Sequence, residues 1–269
     1  MPVAHLNDME LFYVEAGEGL PCLVMHGGLG FDHSALHPWL DPLSDVLRLV
    51  HYDHRGNGRS GRPPSETITF EQLCADALRE HLGFEKVAIL GHSFGGFVAL
   101  EYALRYPERI SRLILLDTAP TLDYGEEIET NAKRKGATQE QLEALEASAE
   151  DEAESWRLWK LIEPLYFHIF DADLAERVMG KTVISVEAAE AGDAMVEEWD
   201  LTPRLGEISV PTLIVVGRDD FICPPSQAQI MHERIPNSEL VIFESSGHFT
   251  HVEEPEAFFE AVRGWLGRT

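Results

Sequence analysis

Apolar positions along this chain gather in six short, nearly continuous runs, at residues 21–26, 47–52, 86–90, 112–117, 211–216 and 239–243. Runs of that length with little polar alternation are what strands buried on both faces require, so they predict a parallel sheet covered by helices. Between them, helical patterns occur near 34–43, 69–82, 96–105, 225–235 and 255–266. The alternation of the two patterns indicates an α/β fold with a mostly parallel, doubly wound sheet flanked by helices. Ahead of the first run, Met9 to Glu15 alternates loosely, as an edge strand does.

The rhythm stops between 121 and 202. There, Gln139 to Ala147 is rich in strong helix formers, and 155–170 carries apolar residues at helical spacing. The expected organisation is a core formed by 1–120 and 203–269, with 121–202 inserted as a helical cap. The length fits, because 269 residues suit one core with an insertion better than two independent domains.

Charge narrows the range of partners. The formal net charge is −26, which argues against nucleic acid or an anionic membrane surface, since both need basic patches. From Asp123 to Asp200 there are 21 acidic and 7 basic residues, a net of −14 within the inserted segment. The acid run Glu150 to Glu154 reads as a solvated helix face. No apolar run approaches the ~20 residues that span a bilayer, and the first residues lack the basic start and apolar stretch of an export signal. Cys22, Cys74 and Cys223 are odd in number and scattered, as expected of reduced thiols in a cytoplasm. The expected partner is a small-molecule substrate, and self-association into a homo-oligomer is left open.

The chemistry sits at strand ends. Gly91-His92-Ser93-Phe94-Gly95 fits G-x-S-x-G, directly after an apolar strand and directly before a helical pattern. A serine hydroxyl needs a base, and the base an orienting carboxylate. Pro211 to Val216 leads into Gly217-Arg218-Asp219-Asp220, and Leu240 to Phe243 leads into Ser246-Gly247-His248. In an open parallel sheet, all three strand ends open on one edge. Asp219 and Asp220 both qualify as the acid; His251 is the rival base, but it lacks the preceding glycine and is expected at the surface or pocket rim. The loop after 21–26, His26-Gly27-Gly28, is placed to supply a second backbone donor beside the N–H of Phe94. The histidines show neither H-E-x-x-H nor a tight His/Cys spacing, so no metal is implied, and no glycine-rich nucleotide loop follows a strand.

These pieces resemble the α/β-hydrolase superfamily over nearly the whole chain. The resemblance is carried by His26-Gly27-Gly28-Leu29-Gly30, Tyr52-Asp53-His54-Arg55-Gly56-Asn57-Gly58-Arg59-Ser60, Gly91 to Gly96, Gly217 to Pro224, and Gly247-His248 followed by Glu253-Glu254-Pro255. The chain looks most like the branch of proline iminopeptidases and small esterase-like and lactonase-like hydrolases. The resemblance implies Ser93 as nucleophile, His248 as base and Asp220, three residues past Gly217, as acid. It implies an oxyanion hole at Gly28 and Phe94, and no cofactor. Asp117 stands where some relatives place the acid, with a loop hydrogen bond near Thr118 as its expected role. His26, Asp53, Arg55, Gly56 and Gly58 are expected to brace turns.

The cap of such enzymes shapes the substrate pocket, and Trp156, Trp159, Tyr166, Phe167, Phe170, Trp199 and Phe221 are its candidate lining. Two activities compete. Hydrolysis of a carboxylic ester or lactone needs an apolar pocket. A proline iminopeptidase-like reading would use the acidic cap to hold a substrate amine. Iminopeptidases of this family usually carry Gly or Gln before the serine and Trp or Tyr after it, whereas here His92 and Phe94 flank Ser93. A binding protein that has lost catalysis is a third reading.

Overall fold

The computed structural model describes residues 3–6, 9–75 and 78–269. Eight strands form one sheet: β1 (Val3–Leu6), β2 (Met9–Ala16), β3 (Leu20–Met25), β4 (Leu47–Tyr52), β5 (Val87–His92), β6 (Ile110–Leu116), β7 (Thr212–Gly217) and β8 (Ser238–Phe243). Their spatial order is β1-β2-β4-β3-β5-β6-β7-β8. The pairs β1/β2 and β2/β4 are antiparallel, and every other pair is parallel. β2 is the strand expected from Met9 to Glu15; β1, short and half exposed, has no counterpart among the expected elements.

The apolar runs have no polar alternation because both faces are covered. Successive residues serve opposite cores. Leu23, Met25, Val50 and Ile89 pack with Phe97 and Val98 of the helix Phe94–Arg105 and Met231 of the helix Pro225–Arg234. Cys22, Val24, Leu49 and Leu90 pack on the other face with Phe258, Val262 and Trp265 of the helix Pro255–Leu266. The helix expected over 69–82 is described as Phe70–Ala75 and Leu78–His81, with 76 and 77 outside the described residues.

One expected helix is absent. Residues 34–43 form 3-10 turns at His33–Ala35 and Asp41–Asp45 instead. Leu36, Leu40 and Leu43 have helical spacing and are fully buried against the sheet, but Pro38 and Pro42 lack the N–H groups an α-helix needs.

Between β6 and β7 lie the helices Gly125–Arg134, Gln139–Glu146, Glu152–Ile162, Ala172–Met179 and Val186–Val196. Side chains fix several starts: Thr138 and Gln141 form a reciprocal capping box, and Asp151, Asp171 and Ser185 accept from first-turn N–H groups. The helix expected over 155–170 stops at Ile162, where Pro164 turns the chain into a 3-10 segment, Glu163–Tyr166. An isolated bridge between Thr121 and Asp200 ties the two ends of this segment together. Its apolar side merges with the sheet edge: Trp159, Val178 and Met179 pack with Phe249 and Phe31.

Candidate active site

Ser93 occupies the residue between β5 and the helix Phe94–Arg105, with φ 53° and ψ −123°. That conformation is unfavourable for a side-chain-bearing residue, costing of order 1–3 kcal/mol, and persists only where neighbours enforce it. Here the Ser93 N–H donates to Leu116, and its carbonyl accepts from Thr118 Oγ1 at 2.7 Å and the Gly96 N–H at 2.8 Å. The turn also needs Gly95, where a Cβ would overlap the Met25 carbonyl.

Asp220 lies in the loop after β7. Its Oδ1 accepts from the N–H groups of Ile222 (3.0 Å) and Cys223 (2.9 Å), which leaves Oδ2 to accept from His248 Nδ1 at 2.7 Å. Both side chains are buried. Burial works against a charged His248 ring, but Asp220, with help from Asp117, holds its pKa above the ordinary 6.5. Asp219 turns the other way: its Oδ2 lies 2.5 Å from His168 Nδ1 at a half-exposed site, and its carbonyl accepts from Lys135. Of the two carboxylates, the loop brings Asp220 and not Asp219 to the His248 ring.

The loop bearing His248 is bound to the inserted segment. The His248 N–H donates to the Tyr166 carbonyl at 2.7 Å. Glu253 accepts from the N–H groups of Gly247 and His168, both at 2.7 Å, and Glu254 accepts from Ser245 and Ser246. His92 Nε2 lies 2.9 Å from the His248 carbonyl, which can only accept, so the ring carries its proton there. Burial, then the neighbouring His248, pushes the His92 pKa well below its usual value, consistent with a neutral ring.

Asp117, next to Thr118, makes loop hydrogen bonds as expected: its carboxylate accepts from the Gly217 N–H at 3.0 Å and from Thr250 Oγ1 at 2.7 Å. Like Ser93 it has a positive φ, 46°. Burial and the nearby Asp220 charge raise its pKa to about 7. His251 differs from expectation. It is buried rather than at a surface or rim, with Nε2 donating to the Ala35 carbonyl at 2.9 Å.

The glycine loop after β3 is braced through His26. Its Nδ1 donates to the Gly27 carbonyl at 2.9 Å, and its Nε2 accepts from the His54 N–H at 3.0 Å. Asp53 accepts from the N–H and Nδ1 of His33 and from the Arg59 N–H. Gly28 has φ 55°, and a Cβ there would sit 2.6 Å from the Phe31 ring.

Ser93, His248 and Gly28 line one cavity, with about 80 Å³ open to the centre of a water molecule. Of the expected lining, Trp159 and Tyr166 are present. Phe221 is wholly buried beneath Tyr166, with ring centroids 5.0 Å apart and edge-on. Phe167 is buried against Phe249, Trp156 packs within the inserted helices, Phe170 is exposed, and Trp199 stacks on Phe70 and Phe97. These five are corrections to the expected pocket, because aromatic content does not reveal which way a ring faces. Phe31, Met179 and Phe249 take their places. Phe249 follows His248 directly, and Phe31 follows the glycine loop, so adjacency to those motifs was the available signal.

No helix among the described residues is long and apolar enough to cross a membrane. Cys22, Cys74 and Cys223 are all buried.

A family model for the alpha/beta hydrolase fold matches residues 21–255. The chain is 34% identical to the proline iminopeptidase PfmaB of Pestalotiopsis fici, over 97% of each chain. It is 29% identical to a 3-oxoadipate enol-lactonase of Acinetobacter baylyi, over 100% of this chain and 99% of that one. Among solved structures, a thermophilic esterase from Thermogutta terrifontis superposes with a TM-score of 0.73 at 30% identity, covering 97% of this chain and 94% of its own. The chain belongs to the α/β-hydrolase family.

Proposed function

We propose that the protein is a serine hydrolase that cleaves a carboxylic ester or lactone through an acyl-enzyme on Ser93. The observation that carries this reading is the buried 2.7 Å contact of His248 with Asp220, opening on the same cavity as Ser93 at its strained turn. In this mechanism His248 Nε2 takes the Ser93 proton as Oγ attacks the acyl carbon. Asp220 fixes the ring with its proton on Nδ1 and stabilises the imidazolium that forms. The N–H groups of Gly28 and Phe94 receive the oxyanion, aided by the amino end of the helix Phe94–Arg105. His248 then protonates the leaving alkoxide and activates water for deacylation. In a lactone the leaving alkoxide stays tethered to the acyl group.

The segment 121–202 acts as the cap over this site, supported by Trp159, Tyr166 and Met179 in the cavity wall and by the bond of His248 to Tyr166.

A second reading, release of N-terminal proline, is favoured by the 34% identity to a protein named proline iminopeptidase. Against it, no residue of the acidic run from Glu150 to Glu154 lines the cavity. Asp32 is the one Asp or Glu among the described lining residues, and Arg59 already neutralises it at 2.6 Å. An amine entering here would find no free carboxylate, whereas an uncharged acyl group finds Phe31, Met179 and Phe249. Short p-nitrophenyl esters, a set of lactones and proline β-naphthylamide, assayed against Ser93→Ala, decide the matter. Turnover of the amide alone would replace the ester reading. No turnover above the control, together with no fluorophosphonate labelling of Ser93, would leave the binding-protein reading.

A further inference from the structure

His51 is the penultimate residue of β4, on the same face as Leu47 and Leu49, where the pleat calls for an apolar side chain. Its side chain is fully buried, yet neither ring nitrogen has a hydrogen-bond partner. Buried polar groups are nearly always satisfied, so an imidazole left bare on both nitrogens is unusual. What faces it is Asp41, whose Oδ1 lies 3.5 Å from His51 Nε2 and 3.0 Å from His37 Nδ1. The three ligating atoms fall within 4.8 Å of one another.

We propose that His37, Asp41 and His51 form a binding site for a divalent transition-metal ion, of which Zn²⁺ is the representative. Two imidazoles and a carboxylate are the donor set that zinc and its neighbours accept. Ligand bonds near 2.1 Å in tetrahedral geometry put donor atoms about 3.4 Å apart, between the two separations found here. Burial pushes the His51 pKa down to about 4, so its lone pair is free at neutral pH. Burial opposes charge on Asp41, but the neighbouring His51 and His37 rings hold its carboxyl below the usual range. The His37 and Asp41 side chains are each about a third exposed, which gives the ion a way in and leaves a fourth position to water.

Two other clusters of ligating residues offer less. In the group of Asp32, His33 and Asp53, His33 already donates to Asp53 and Arg59 occupies Asp32. Asp220, Cys223 and His248 belong to the site described above. Of these three, only the 37/41/51 group holds a buried ring whose nitrogens make no hydrogen bond. An ion there would clip the end of β4 to the 3-10 turns after β3, in the segment that also brings Phe31 and Ala35 to the cavity. It would act as a fastener rather than as a reactant.

The test is titration of the full-length protein with ZnCl₂ after dialysis against EDTA and then metal-free buffer. Bound zinc is counted by mass spectrometry, and Tm is followed in parallel. The expected result is one tightly held zinc per chain, with Tm rising as zinc is added. In His37→Gln and in Asp41→Asn, both partly exposed and so tolerant of change, affinity should fall at least about tenfold, the loss that disturbing even an outer partner of a ligand commonly brings. Co²⁺ in the unaltered protein should show the intense visible bands of four-coordination, a readout independent of any variant. Less than stoichiometric zinc, a loss below tenfold in either variant, or cobalt bands as weak as those of the aqueous ion would each overturn the proposal.

Discussion

His92, the residue before Ser93, donates through Nε2 to the carbonyl oxygen of His248 across 2.9 Å, joining two segments 156 residues apart. The ring has no free proton to give and stays neutral, so its role is to hold the His248 loop against the serine turn. His92→Ala removes that donor and should lower kcat by roughly tenfold to a hundredfold, the loss that a displacement of about 1 Å brings in an aligned site. His92→Gln keeps an N–H donor and should recover most of the rate. The apparent pKa of kcat/KM should stay in place in both variants, because His92 takes no part in proton transfer. Equal losses in the two would mean that bulk, and not the hydrogen bond, matters at this position.

The acid assignment has a sharp test in two neighbouring carboxylates. Ser93→Ala and His248→Ala should each reduce ester turnover by roughly 10⁴–10⁶, and Asp220→Asn somewhat less. Asp219→Asn should stay within about tenfold, since this side chain bonds to half-exposed His168 and not to His248. Steady-state kinetics on one p-nitrophenyl ester measures all four. If Asp219→Asn proves the more damaging of the two, the hydrogen bond to His248 does not define the working acid.

How much of this was legible in the sequence depended on whether local chemistry set the outcome. The strands β3 to β8 could be read directly, because burial on both faces demands unbroken apolar runs. Residues 34–43 misled, because Leu36, Leu40 and Leu43 reach the core from two 3-10 turns as well as they would from a helix. Ser93, Asp220 and His248 stood out as candidates because each follows a strand and a glycine. The pocket was not. Whether Trp159 faces the cavity while Trp156 packs among helices is decided by tertiary contacts that composition does not encode. The zinc ligands were hidden for the same reason, since β4 supplies one and the loop after β3 supplies two.

If His248 is the base, proton transfer through it sets the pH profile. Its folded pKa lies above the ordinary 6.5, so kcat/KM should rise with pH and level off only above neutrality. Asp117 contributes to that elevation without touching the ring. Asp117→Asn should therefore shift the kinetic midpoint to lower pH. Stability should respond with a definite sign. The Asp117 pKa is raised from 3.8 to about 7, so its contribution is fully present below 3.8 and is lost as pH rises through 7. The Tm of Asp117→Asn relative to the unaltered protein should thus climb between pH 4 and about 8. A kinetic midpoint unmoved by the substitution would show that the Asp117 charge is not felt at His248.

Gly28 shapes its turn and is proposed to stabilise developing charge, and substitution there separates the two. Its φ of 55° disfavours any side chain by about 1–2 kcal/mol, and a Cβ would press on the Phe31 ring, which itself packs edge-on against Trp159 at 5.1 Å. That strain alone should lower the Tm of Gly28→Ala by roughly 2–8 °C in a chain of this size. If the Gly28 N–H is also an oxyanion donor, moving it should cost roughly 10²–10³ in kcat, with KM little changed, because the interaction forms only as the tetrahedral oxygen develops. Calorimetry and steady-state kinetics on the same preparation separate these effects. A variant that melts earlier yet keeps kcat within about twofold would confine Gly28 to the turn, and the second donor would have to be sought at another N–H of the same loop.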